Sequence, residues 1–268
     1  MTFKLSVTAV AAVTAACALR FAAGCNSSKP TGSILPPPDR PSSAAVPNYS
    51  NLPKADSNVP DSQFVELDSG YHAGALFYAL AGLPPDYERL TMAASQEYRS
   101  ANDAFRKRDL MQALKPQIDQ QIQAYKDPRN RYFTAKLGNG LPLGHYDFKT
   151  SSFPFTQDLS SGSYHYFNDA PNYTFAFTNG SFFQRFPLSD EQKAKDVESL
   201  VTQGLIYQGD AVSYMFAQGA DTVNNRVLMQ IVRMVLHGPG QGEVGRYVAN
   251  PNSVGNAPTG TAPYKFGQ

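Results

Sequence analysis

The spacing of apolar positions divides the chain near Tyr132: helical steps of three and four come before it, and alternation by two comes after it. Tyr71 to Leu80 is small and apolar. Beyond Pro84-Pro85-Asp86, the residues Tyr87, Leu90, Ala94, Tyr98, Ala101 and Phe105 recur on one helical face, which must be buried. Met111, Leu114, Ile118, Ile122 and Tyr125 continue the stripe. Pro116 lacks an N–H and disfavours helical backbone at Lys115, so a break or kink is expected there. Ser100, Asn102 and Asp103 are candidate caps for a restart, which makes two or three helices of this stretch.

From Tyr132 onward the pattern predicts strands. Tyr132 to Leu137 and Leu143 to Phe148 flank Gly138-Asn139-Gly140 as one hairpin. Tyr173, Phe175 and Phe177 alternate with Thr174, Ala176 and Thr178 before Asn179-Gly180, a pair suited to a tight turn, with Ser181 to Phe186 as the return strand. Ser189 with Gln192 reads as a capping box for a helix that buries Ala194, Val197 and Val201 and ends at Gly204. Val223 to His237 is the longest strand candidate. Val227, Met229, Ile231 and Val235 are assigned to one face and Leu228, Val232, Met234 and Leu236 to the other, which makes it central. Its expected neighbours are Leu205 to Ala217 and, across the turn Gly238–Gly242, Val244 to Val248. Helices first and strands afterwards define an α+β class: N-terminal helices followed by a mainly antiparallel sheet with one inserted helix.

This pattern occupies residues 62–249, the length of a single globular domain. Ahead of it, residues 26–61 are rich in Pro, Ser, Ala and Asn, and eight of the chain's 20 prolines fall between Pro30 and Pro60. That composition predicts a disordered tether with a reach of about 30–35 Å. Residues 250–268 read as a flexible tail.

Residues 1–25 read as an export signal: Lys4 is the cationic start, Leu5 to Leu19 is apolar, and small residues close the segment. Ala22-Ala23-Gly24-Cys25 resembles the lipobox of Gram-negative bacterial lipoproteins, and the layout of the whole chain resembles that of single-domain lipoproteins of uncharacterised family. The resemblance implies cleavage before Cys25, lipid attachment to its thiol and an N-terminal membrane anchor. Asn26 in place of the aspartate that marks inner-membrane retention implies the outer membrane, with the domain facing periplasm or exterior. Soluble export to the periplasm or medium and an uncleaved anchor are the alternatives.

Composition narrows the chemistry. Cys17 and Cys25 both lie in the signal region, so the remaining chain has no cysteine for a disulfide, a thiolate metal site or a nucleophile. Without residues 1–25, Lys plus Arg falls from 23 to 21 against 22 acids, a net charge of −1 that gives no footprint for nucleic acid. Arg106-Lys107-Arg108 reads as a solvated helix face, the sharper alternative being contact with an anionic envelope partner. The 15 Tyr and 17 Phe, with no Trp, favour core filling and partner contact over sugar stacking.

Candidate catalytic residues are sparse. His72, His145, His165 and His237 show no metal-ligand spacing, and no cofactor or metal is expected; Glu66, Asp68 and His72 would make a carboxylate–imidazole cluster if the turn at Ser69-Gly70 brings them together. Ser163 and His165, with Asp158 and Asp169 nearby, contain the residue types of a hydrolase but lack the Gly-x-Ser-x-Gly elbow. The weak site candidates are therefore His145, His165, Asp169 and Arg233. Arg233 interrupts the apolar strand and is expected near its end with the head in water, the alternative being an acid partner in a pocket. Two functions follow: a non-catalytic binding or accessory component of an envelope assembly that contacts another envelope protein, or a periplasmic hydrolase using His165 or His145 with nearby carboxylates.

Overall fold

A computed structural model describes residues 49–248, apart from 161, 162 and 171. The signal segment, Cys25, most of the tether and the tail from 250 lie outside the described residues. The class is α+β, with five α-helices and a mainly antiparallel seven-stranded sheet among the described residues.

Four helices come early. The first, α1 (Gly70–Ala81), is held by small residues: Gly74 lies against Leu90 and Tyr173, where even one added methyl would collide. After it come α2 (Tyr87–Ala94), α3 (Gln96–Ser100) and α4 (Ala104–Tyr125), capped by Asp86, Ser95 and Asp103, each accepting a backbone N–H from the first turn. The restart expected near Asp103 is therefore real, but the break at Lys115 is not. Helix α4 runs unbroken through Pro116. Burial of Ile118, Ile122 and Tyr125 holds it together, and Lys115 bridges the proline by pairing with Asp119 at 3.1 Å and lying 3.6 Å over the Tyr87 ring.

The large sheet runs β1 (Val65–Glu66), β2 (Tyr132–Lys136), β7 (Asp210–Asp221), β8 (Arg226–His237), β5 (Thr174–Phe177) and β4 (His165–Tyr166), with β9 (Glu243–Val248) also on β8. Only β1·β2 and β5·β8 are parallel. A separate pair joins β3 (Ser152–Pro154) to β6 (Arg185–Pro187), and α5 (Glu191–Thr202) is inserted between β6 and β7. The β7–β8–β9 neighbourhood and the central place of β8 agree with the apolar pattern.

Neither expected Asn-Gly hairpin forms. Tyr132–Lys136 pairs with β7, and Leu143 makes only an isolated bridge to Phe155. At Asn179-Gly180 the chain enters a short 3-10 turn because the Asn179 side-chain amide bonds both backbone groups of Ile231 at 2.8 Å, prolonging the β5–β8 ladder; the returning residues join β3. The cap of α5 is Asp190, which accepts from the Lys193 N–H, so the Ser189 capping box is displaced by one residue.

Two register shifts in β7–β8 revise the face assignment. Tyr214 faces Arg233 while Met215 faces Ile231, leaving Val232 as an extra residue, and Gln218 is similarly unmatched between Ala217 and Gly219. Met234 and Leu236 therefore join Val227, Met229 and Ile231 in the helix-side core, while Val232 faces the other way with Tyr132 and Phe216. That second face is covered by residues 52–64, where Val59 is buried and Ala55 and Phe64 are packed. The segment expected to belong to the tether as far as Asp61 is thus, from about Leu52 onward, a strap on the sheet.

Candidate functional site

Loop 145–148 lies against α5, and between them runs a groove of about 320 Å³ lined mainly by Tyr146, Phe148, Ala194, Glu198, Thr202 and Gln203. The loop is tied down locally. Arg185 reaches Asp147 at 2.6 Å, the Tyr146 hydroxyl donates to the Leu188 carbonyl at 3.0 Å, and the Tyr146 ring packs on the fully buried Phe153. Phe148 stands edge-on to Tyr146 with ring centroids 5.1 Å apart and is 86 % exposed.

Glu198 organises the rim. Its two oxygens accept from the Tyr146 N–H at 2.8 Å, from Thr202 at 3.2 Å and from the side of His145 Nδ1 at 2.7 Å. Burial pushes this carboxyl up, but those hydrogen bonds outweigh it and hold it below the usual carboxylate range. His145 thus belongs to the rim, oriented by a carboxylate.

His165 lies elsewhere. Its ring stacks on Phe175 at 5.0 Å, and Gln157 Nε2 stands 2.9 Å from Nδ1, which fits a neutral imidazole accepting there. Burial pushes its pKa from the ordinary 6.5 down to about 4, against the charge of Asp158. Ser163 donates to Asp158 at 2.7 Å and not to the ring, so Ser, His and Asp are neighbours without the relay order of a hydrolase. Since the folded ring refuses a proton that the unfolded ring takes, stability is expected to fall as pH drops from about 6.5 towards 4 and to level off below. Unfolding of the wild type and of His165→Phe, compared at about pH 7 and about pH 5, should show the loss in the wild type alone; equal losses would refute the effect.

The remaining candidates have structural partners. Both carboxylate oxygens of Asp169 accept from the Gly70 N–H, at 2.9 and 3.1 Å, anchoring the start of α1. His72 faces only Asp68, at 3.3 Å, and not Glu66; among the described residues no three His, Cys, Asp or Glu side chains are placed to hold a metal ion. Arg106, Lys107 and Arg108 meet Glu97, the Tyr98 ring and Asp109 respectively. His237 pairs with the buried Asp210 at 2.8 Å, which Lys136 also approaches at 3.0 Å.

The expectation that Arg233 points into water is corrected. Its side chain is 7 % exposed, pairs with Asp61 at 2.6 Å, donates to the Val59 carbonyl at 2.7 Å and lies 4.7 and 5.0 Å from the ring centroids of Phe64 and Tyr214. The bulge at Val232 turns it onto the strap side, where the acid waits. Asp61, assigned to the tether, and Phe148 and Glu198 of the groove were not marked by the sequence pattern; the one available signal was Phe148 alone among Asp147, Lys149 and Thr150.

No family model, curated protein or solved structure matches this sequence. No described helix is long and apolar enough to cross a membrane.

Proposed function

We propose that the chain is an exported cell-envelope protein, lipid-anchored at Cys25 in the outer membrane, whose globular domain is a non-catalytic binding component of an envelope assembly. Phe148 carries the binding part of this reading: a nearly bare aromatic ring at the mouth of an apolar groove is an anchor for another protein's surface. The lipobox-like Ala22-Ala23-Gly24-Cys25 carries the envelope part.

Mass spectrometry of the mature N-terminus should find Cys25 first and acylated, and Cys25→Ala should leave the membrane fraction. An unmodified chain starting elsewhere overturns the anchor. A photo-crosslinking phenylalanine analogue at position 148 should give discrete adducts in envelope preparations, and Phe148→Ala should abolish co-purification of the protein captured in those adducts while leaving thermal stability within about 0.5 kcal/mol. Absence of adducts overturns the groove as the contact.

A periplasmic hydrolase is the second reading, favoured by the His145–Glu198 pair beside Ser199 and Thr202. The Thr202 hydroxyl donates to Glu198, not to His145, so it needs a rearrangement before any nucleophile meets its base.

A further inference from the structure

Every hydrogen bond between the sheet and strap residues 53–59 joins a sheet side chain to the strap's backbone. Gln218 Nε2 donates to the Pro53 carbonyl at 2.7 Å, Gln230 Oε1 accepts from the Ala55 N–H at 2.9 Å, and the Tyr132 hydroxyl accepts from the Asp56 N–H at 3.1 Å. Arg233 donates to the carbonyls of Ser57 and Val59 at 3.4 and 2.7 Å. Contacts of this kind read the course of a backbone, here one that turns at Ser57-Asn58 and enters a 3-10 turn at Asp61, and ignore its side chains. What the face selects is small: shallow apolar seats filled by Ala55 and Val59, and one carboxylate, Asp61, clamped by Arg233 at 2.6 Å and by Arg246 at 3.0 and 2.8 Å.

The clamp dictates how the strap can leave. A guanidinium 7 % exposed cannot be left without a counter-charge, because an uncompensated buried ion is far less stable than a paired one. Release must therefore be exchange, one carboxylate for another. The resting pair is also incomplete: Asp61 takes Nη2 of Arg233, while the buried Nε has no partner among the described residues. A carboxylate that is not also held by Arg246 can take both nitrogens in the bidentate geometry arginine favours.

We propose that this sheet face is a peptide-binding groove that the strap fills in cis, and that it accepts from a partner protein a segment that follows the strap's course, turn included, and carries small apolar residues six and two places before an acidic residue. The partner's acid replaces Asp61 on Arg233, taking both nitrogens, and leaves Arg246 paired with Glu243. A strap already tethered competes at an effective concentration in the millimolar range, so the groove opens to strong competitors only.

The test uses the full chain and a labelled synthetic peptide of residues 49–64 as the probe. Asp61→Asn removes the strap's carboxylate while keeping its shape, and that variant should bind the probe at least about tenfold more tightly than the wild type, a difference of about 1.4 kcal/mol. A probe carrying Asp61→Asn itself should bind neither protein. Equal affinity of the variant for both probes, or no binding by a variant with native circular dichroism, overturns the proposal. Should the variant fail to fold, amide exchange on the wild type decides: excess acidic probe must accelerate exchange at Ala55 and Asp56, and unchanged rates overturn it.

Discussion

Asp61→Ala is expected to lower the unfolding free energy by about 3 kcal/mol, more than the loss of its buried partner. Arg233 is the more deeply placed of the two, with a side chain 7 % exposed against 40 % for Asp61. Burial alone would therefore rank arginine substitution as the worse. The pair inverts that ranking. Without Asp61 the guanidinium stays under the strap with only the Ser57 and Val59 carbonyls and two aromatic faces, none of which carries charge. In Arg233→Met, by contrast, volume is largely kept and Asp61 still has Arg246, so a loss of about 1–2 kcal/mol is expected. The hydrogen bond from Arg246, and then the charge of Arg233, hold the Asp61 carboxyl below the usual carboxylate range against burial. A carboxyl with a lowered folded pKa stabilises the fold above its unfolded pKa and ceases to do so as pH falls through the folded value. The gap between wild type and Asp61→Ala should accordingly narrow on acidification. Chemical denaturation at neutral and acid pH measures all of this, and a costlier Arg233→Met than Asp61→Ala would refute the account.

The two bulges explain how much of this was legible in the sequence. Apolar residues on both faces of 226–237 mark a central strand, and the helical stripe through Ile118, Ile122 and Tyr125 marks a buried face; both follow from local periodicity, and both are present. Pairing is a non-local property. Asn179-Gly180 has the residues of a tight turn, but the Asn179 amide donates one hydrogen bond to Ile231 and accepts another from it, a residue that periodicity cannot bring near it. The extra residue at Val232 shifts the phase of β8, so Met234 and Leu236 cross to the face opposite the one that strict alternation gives. The same shift takes Arg233 to the strap. The Pro- and Ser-rich composition that made residues 26–61 look like tether carries little apolar area, and Val59 with Ala55 is indeed a small contribution. Side-chain hydrogen bonds from Gln218, Gln230 and Arg233 hold the strap instead, and composition does not register them. For the candidate groove the position is similar: His145 was visible as a residue type, whereas Glu198 and Phe148 acquire meaning only when α5 packs beside loop 145–148.

Gly180→Ala tests the crossing on which β5 and the loop before β4 both depend, and a loss of more than about 3 kcal/mol, or a fall in Tm of about 6–12 °C, is expected. A Cβ at this position would collide with the Leu159 carbonyl oxygen and come within 2.8 Å of its carbon, and both are backbone atoms that cannot rotate aside. Relief by moving the Leu159 loop is blocked, because the Leu159 side chain is fully buried in the main core. Relief by moving Gly180 is blocked as well, since Asn179 immediately before it is pinned to both backbone groups of Ile231 and Phe183 just after it is buried at 0 % exposure. One methyl therefore has to be accommodated by breaking the Asn179–Ile231 pairing or by lifting Leu159 out of the core. The first route has its own signature: the Ile231 amide, now bonded to Asn179 Oδ1, would lose protection against hydrogen exchange before global unfolding. Gly204→Ala, at the end of α5 with a φ of 68° and nothing near a Cβ, separates space from conformation, and should cost only about 1 kcal/mol. A Gly180→Ala protein that melts within about 2 °C of the wild type would show that Leu159 and Gly180 do not meet in this way.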